Sequence, residues 1–221
     1  GSHSFKKEVR DLNTWYQNEL SLLPVEIHTG EAVTAEQLKT MGADVIILAT
    51  GSVPIMPKVP GIDDEKVIGC MDAFANPEKI GRKVTVIGGG LVGCEMALEY
   101  AQDGKDVTVV EALPKILSAG IPSPIPNGQM IPDLFEYYHV KVLENHKLSA
   151  VENGKAVLDC DGKTEKLDTD SIVIAVGFRP APSMAQKLRG CGAVVYEIGD
   201  GQKVSTILHA VWDGYEVGNN I

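Results

Sequence analysis

The stretch Val84-Thr-Val-Ile-Gly88-Gly-Gly90-Leu-Val-Gly93-Cys-Glu95, followed by Asp106-Val-Thr-Val-Val-Glu111, decides how the rest of this chain is read. A G-x-G-x-x-G spacing alone is weak evidence. Here it follows an apolar strand, Lys83–Ile87, and opens an alanine-bearing helix over Leu91–Gln102. After the turn Asp103-Gly104 comes a second strand, Asp106–Glu111, ending in an acid. That order of strand, glycine turn, helix, strand and acid is the context in which such a spacing binds a dinucleotide.

The physical reasons are separate for each residue. Gly88 permits the tight turn, and Gly90 lets backbone approach a pyrophosphate with no side chain in the way. Gly93 lets helix and strand pack closely, and the helix N-terminus offers unpaired N–H groups and partial positive charge. Glu111 lies 18 residues beyond Gly93, placed to accept hydrogen bonds from an adenosine ribose. Its charge repels a 2′-phosphate, and Ala112 and Leu113 offer that phosphate nothing, so NADH is favoured over NADPH. The plain alternative, glycines that only make a turn and a solvated Glu111, leaves the joint order unexplained. Glu95 is expected on the first helical turn, where an acid suits the helix dipole with or without a ligand.

Outward from this unit, other elements are legible. Phe5–Leu20 carries Val9, Leu12, Tyr16 and Leu20 at helical period, so an amphipathic helix is expected, with Trp15 and Tyr16 in a core. Val25-Glu26-Ile27 reads as a short strand, and Thr34-Ala-Glu-Gln37 as a capping box. Asp44–Ala49 is apolar throughout, as in a parallel strand covered on both faces. Pro54, Pro57, Pro60 and Gly61 make an extended connector of residues 52–64. Pro122, Pro124, Pro126 and Pro132 defer any helix to about Asp133–Tyr138, before a strand at Val140–Leu143. Asn153-Gly154 and Asp161-Gly162 accept the positive φ angles of type I′ turns, so residues 147–167 form a three-stranded antiparallel meander. Ser171–Val176 and Val194–Ile198 are further strands, each ending in glycine, and Val204–Gly218 is a closing helix.

Composition narrows the class. The 221 residues are 44% hydrophobic and 23% charged, which excludes disorder and a disulfide-stapled miniprotein. Ten more acids than bases repel phosphate backbones, so nucleic acid is not an expected partner. No apolar run approaches the roughly 20 residues of a membrane helix. Four separated cysteines, Cys70, Cys94, Cys160 and Cys191, form no C-x-x-C pair and suit a reducing cytoplasm better than a zinc ribbon. Cys94 reads as a small packing residue. Gly1-Ser2-His3-Ser4 reads as a tag remnant, and no histidine shows ligand spacing.

Three strand ends, Ala49-Thr50-Gly51, Ala175-Val176-Gly177-Phe178-Arg179-Pro180 and Ile198-Gly199-Asp200, carry glycine turns of the kind that border ligands in parallel α/β sheets. With the glycine motif and the meander they give an order that resembles the flavoproteins with two dinucleotide-binding domains related to pyridine nucleotide–disulfide reductases. Within them it looks most like the C-terminal module of NADH:flavin oxidoreductases of the 2-enoate and 2,4-dienoyl-CoA reductase type. Their N-terminal half is an old-yellow-enzyme barrel with FMN and an iron–sulfur cluster. The resemblance extends over nearly all of Phe5–Ile221.

The resemblance implies an α/β architecture: a Rossmann-like NADH-binding domain with its meander, residues 81–167, inserted in a truncated FAD-binding domain of residues 5–80 and 168–221. It implies Gly88, Gly90 and Gly93 at the NADH pyrophosphate, Glu111 at the ribose, and Glu95 and Gly177 at the nicotinamide. Thr50 and Gly51 would border FAD, and Asp200 would bond its ribityl or pyrophosphate region. Hydride would pass from NADH to FAD and on to the barrel, with no proton donor required of the protein. Two alternatives stand beside this: a nucleotide-binding module without turnover of its own, and a reductase for a different acceptor. The second glycine motif that opens the FAD domain in that family is not in this sequence. The isolated chain is therefore expected to hold less than one flavin per chain. The edges of Asp44–Ala49 and Ser171–Val176 are expected to be exposed and to invite pairing with another copy.

Overall fold

A computed structural model of the chain describes residue 3, residues 6–120 and residues 125–221. They form two compact units, one of residues 1–13 and 54–177, the other of residues 14–53 and 178–221.

The first unit is built on a parallel sheet. β4 (Lys83–Ile87) lies between β10 (Ser171–Ile174) and β5 (Asp106–Val110), and the order is completed by β3 (Val67–Gly69) outside β10 and β6 (Lys141–Leu143) outside β5. The register Val84↔Val107 and Ile87↔Val110 aligns the ends of β4 and β5, so the glycine turn and Glu111 emerge at one edge. α3 (Cys70–Ala75) and α4 (Leu91–Gln102) pack on this sheet, α4 with Cys94, Met96, Ala97 and Leu98 buried. The antiparallel meander follows as expected: β7 (Lys147–Glu152), β8 (Lys155–Cys160) and β9 (Lys163–Asp168). Asn153, Gly154, Asp161 and Gly162 all have positive φ, from 51° to 78°, as type I′ turns require. Leu148, Val151, Ala156 and Leu158 of the meander form one apolar cluster with Ile87, Val110, Ile172 and Ile174 of the sheet.

The second unit holds β1 (Val45–Leu48) paired in parallel with β12 (Val194–Glu197), together with α2 (Ala35–Thr40) and α6 (Ile207–Gly218). β2 (Ser52–Pro54) pairs with β11 (Phe178–Pro180). Ala35, Ile46, Leu48 and Leu188 are its buried core. The capping box of α2 is complete: Gln37 N donates to Thr34 Oγ1, and Thr34 N to the Gln37 side chain.

Several expectations are corrected. β10 is paired on both sides and buried at every residue, so it has no free edge, and it belongs to the sheet that carries the glycine turn. The compact units divide near residues 53 and 177. β1 is not covered on both faces, since Ile47 is 41% exposed. α1 (Lys7–Ser21) forms, but buries no residue, and Trp15 and Tyr16 lie exposed against one another. Residues 25–27 make no strand because nothing pairs with them among the described residues. α5 (Ile125–Tyr137) runs through Pro126 and Pro132. Pro126 stands at the second helical position, where an N–H has no intrahelical acceptor. Pro132 removes one interior bond, which the burial of Ile131 and Phe135 on the same helix offsets. Pro122 and Pro124 lie outside the described residues.

Candidate dinucleotide site

The glycine turn of the first unit has a different steric demand at each position. Gly88 has φ +108°, and a Cβ there would lie 2.4 Å from the Ala175 carbonyl oxygen. A Cβ at Gly93 would lie 1.9 Å from the Gly88 carbonyl oxygen, so helix α4 and the turn touch backbone to backbone. Around Gly90 a Cβ would meet nothing within 4 Å. The turn is thus closed where it packs and open where a diphosphate would approach. Gly90 caps α4 without any side-chain bond, and the first helical bond runs from Cys94 N to Gly90 O. The N–H groups of the first turn therefore have no intrahelical acceptor and face the opening.

Glu111 is buried at the adjoining strand end. Gly89 N donates to its Oε2 at 2.7 Å, and Leu113 N donates to its Oε1 at 2.7 Å. The carboxylate is therefore held in one orientation, while each oxygen keeps a second lone pair for a diol. These residues fit a dinucleotide: an open cradle at Gly90, free helix donors, and a fixed acceptor one strand away.

Glu95 is the fifth residue of α4, one turn further in than expected, and is 4% exposed. Lys6 Nζ donates to its Oε2 at 2.7 Å, and His3 Nε2 stands 3.7 Å from the same oxygen. Its Oε1 is buried with no hydrogen-bond partner among the described residues. His3, read from sequence as part of a tag remnant, is buried, with Nδ1 2.6 Å from Glu99 Oε2 and its ring edge-on to Phe74. Gly177 has φ +107° and open space around it, two residues beyond the Ala175 carbonyl that Gly88 abuts. Cys94 is inert packing: Sγ donates to Gly89 O, and burial, with the nearby Glu111 and Glu95 charges, pushes the thiol up to about 12.

In the second unit Thr50, Gly51 and Asp200 come together. Ser52 Oγ and Ser205 N donate to the two oxygens of Asp200, at 3.1 and 2.9 Å. A Cβ at Gly201 would meet Thr50 Oγ1 at 3.2 Å, so the turn after β12 sits against the turn after β1. Gly199 N donates to Asp213 Oδ2 of α6 at 2.9 Å. Asp213 and Ser52 escaped the sequence reading because single polar residues on a helix or connector carry no spacing signal. Glu144, whose Oε1 accepts from Ile116 N at 2.9 Å, escaped it too, although it directly follows β6 as Glu111 follows β5.

No helix among the described residues is long and apolar enough to cross a membrane. The pattern of the pyridine nucleotide-disulphide oxidoreductases matches residues 3–203. Cinnamate reductase of Clostridium sporogenes is 37% identical over 221 residues, all of this chain and 33% of that protein. An NADH oxidase of Thermoanaerobacter brockii is 32% identical over 96% of this chain and 33% of its own length. Among solved structures, a 2-naphthoyl-CoA reductase complexed with 2-naphthoyl-CoA superposes with a TM-score of 0.90 at 26% identity, over all of this chain and 33% of that one. The chain thus spans about a third of the length of these relatives. With a family pattern over most of its length and a relative at 37% identity over all of it, the chain belongs to the pyridine nucleotide-disulphide oxidoreductases.

Proposed function

We propose that this chain is the NADH-binding, electron-transfer module of a flavin-dependent oxidoreductase whose remaining domains carry an enoate-reductase-type barrel. NADH when bound supplies a hydride, and FAD accepts it. The protein's part is alignment. Gly88, Gly90 and Gly93 shape the cradle for the pyrophosphate, the first turn of α4 donates N–H groups to it, and Glu111 receives the adenosine ribose. Glu95 and Gly177 flank the nicotinamide, and the orphaned Oε1 of Glu95 is a buried acceptor that suits a carboxamide N–H. Thr50, Gly51 and Asp200 border the flavin in the longer protein.

The observation that carries this reading is the pairing of an open Gly90 with a Glu111 already oriented by two backbone amides. The names of the relatives, reductases and an NADH oxidase, support it. Fluorescence titration of the 221-residue chain should give tighter binding of NADH than of NADPH. Equal affinities, or none for either, would overturn the assignment.

For the isolated chain a second reading, nucleotide binding without turnover, is favoured by its single glycine motif. An absorbance spectrum of purified protein separates the two. Less than one FAD per chain is expected; a full complement would mean that the chain by itself makes the flavin site.

A further inference from the structure

The segment after β5 is stitched between two turns. Glu111 N donates to Leu143 O at 2.8 Å, His146 N to Glu111 O at 2.9 Å, and Asn145 N to Leu113 O at 3.0 Å. These bonds tie the near half of the segment to the turn after β6. The far half, Ile116 and Leu117, reaches the glycine turn instead: Leu117 N donates to Gly89 O at 2.7 Å. Ile116 is buried beneath Gly89, where a Cβ would lie 2.7 Å from Ile116 Cγ2. Leu117 has φ +59°, a conformation a branched side chain resists, so the segment needs an external hold at this point. That hold is Glu144, whose Oε1 accepts from Ile116 N at 2.9 Å. Gly89 is therefore held on both sides, its carbonyl by Leu117 N and its N–H by Glu111, with Glu144 bracing the side that the carbonyl faces.

We propose that Glu144 is a positioning residue of the nucleotide site. By taking the Ile116 amide it keeps Ile116 and Leu117 against Gly89, and so keeps the Gly89 N–H aimed at Glu111 and the Glu111 carboxylate turned to the ribose. This rests on the reading of Gly88–Glu111 as the NADH site. Glu144 acts through its reach and not its charge. A glutamine oxygen accepts the same bond, whereas aspartate is one methylene too short.

The test is NADH titration of the 221-residue chain carrying Glu144→Gln, Glu144→Asp or Glu144→Ala, with melting temperatures measured alongside. Glu144→Gln should bind within about threefold of the unsubstituted chain, and Glu144→Asp and Glu144→Ala about tenfold more weakly, the scale of one lost hydrogen bond to a buried amide. On a Glu111→Ala background the Glu144→Ala loss should shrink to less than about twofold, because residues that act in series are not additive. If the unsubstituted chain binds NADH but all three variants match it, the proposal fails while the site assignment stands. It fails equally if Asp matches and Gln does not, or if the Ala loss is undiminished without Glu111. If Glu144→Ala does not fold, the Gln and Asp pair decides alone. Absence of NADH binding by the unsubstituted chain would remove the site assignment and this proposal together.

Discussion

β10 and β1 are both short parallel strands of Ile and Val residues, Ser-Ile-Val-Ile and Val-Ile-Ile-Leu, yet they have opposite fates. β10 lies between β3 and β4, and all four residues are buried. β1 has β12 on one side and no partner on the other among the described residues, and Ile47 stands open. Each strand ends near a positive-φ glycine, Gly177 or Gly51, with open space around it, but beside β10 the turn after β4 is closed by backbone contacts at Gly88 and Gly93. The first unit is thus a finished support for its site. The second presents a converging set of residues, Thr50, Gly51 and Asp200, on a sheet of two strands. Apolar content makes a strand; neighbours decide whether it is a core.

The contrast is broken most forcefully at the glycines. Gly88→Ala combines a left-handed φ with a clash against carbonyl Ala175, and should cost about 3–5 kcal/mol in denaturant melts. Gly51→Ala, strained but unobstructed, should cost about 1 kcal/mol. Equal losses would mean that the two turns are equally packed. At the strands, Ile174→Ala should destabilise by about 2–4 kcal/mol, and Ile47→Ala by less than about 1 kcal/mol. A comparable penalty at Ile47 would reveal a covering layer over β1.

Glu111→Ala should weaken NADH binding by about tenfold and narrow the preference over NADPH, since it removes both the ribose acceptor and the repulsion of a 2′-phosphate. An unchanged preference in paired titrations would move discrimination elsewhere. The smallest effect is chemical. Burial holds the Cys94 thiol protonated up to about 12, so alkylation near pH 8 followed by mass spectrometry should label half-buried Cys191 of the second unit well before Cys94. The neutral Cys94 thiol favours the fold fully below its ordinary 9.0, and that contribution fades as pH climbs toward 12. Simultaneous labelling would show α4 opening as readily as the second unit.

Legibility differed by element for identifiable reasons. The β4–α4–β5 unit could be read to within one residue, because strand period, glycine spacing and helix composition are local and agree. The meander was equally plain from Asn-Gly and Asp-Gly. The amphipathic pattern of α1 was real, yet period says only that a face exists and not that something covers it. The proline-rich residues 125–132 ran the other way: propensity argued against a helix that tertiary burial of Ile131 and Phe135 sustains.

The site divides along the same line. Spacing along the chain determined that Gly88, Gly90, Gly93 and Glu111 share one end of a parallel pair, since register and helix geometry follow from local rules. It could not determine that both oxygens of Glu111 are held by the amides of Gly89 and Leu113, that one oxygen of Glu95 is buried unpaired, or that Glu144 grips Ile116. Those depend on segments tens of residues apart meeting within hydrogen-bond distance. Only packing of the whole sheet decides such meetings, because burial and bond angles are properties of neighbours in space and not along the chain.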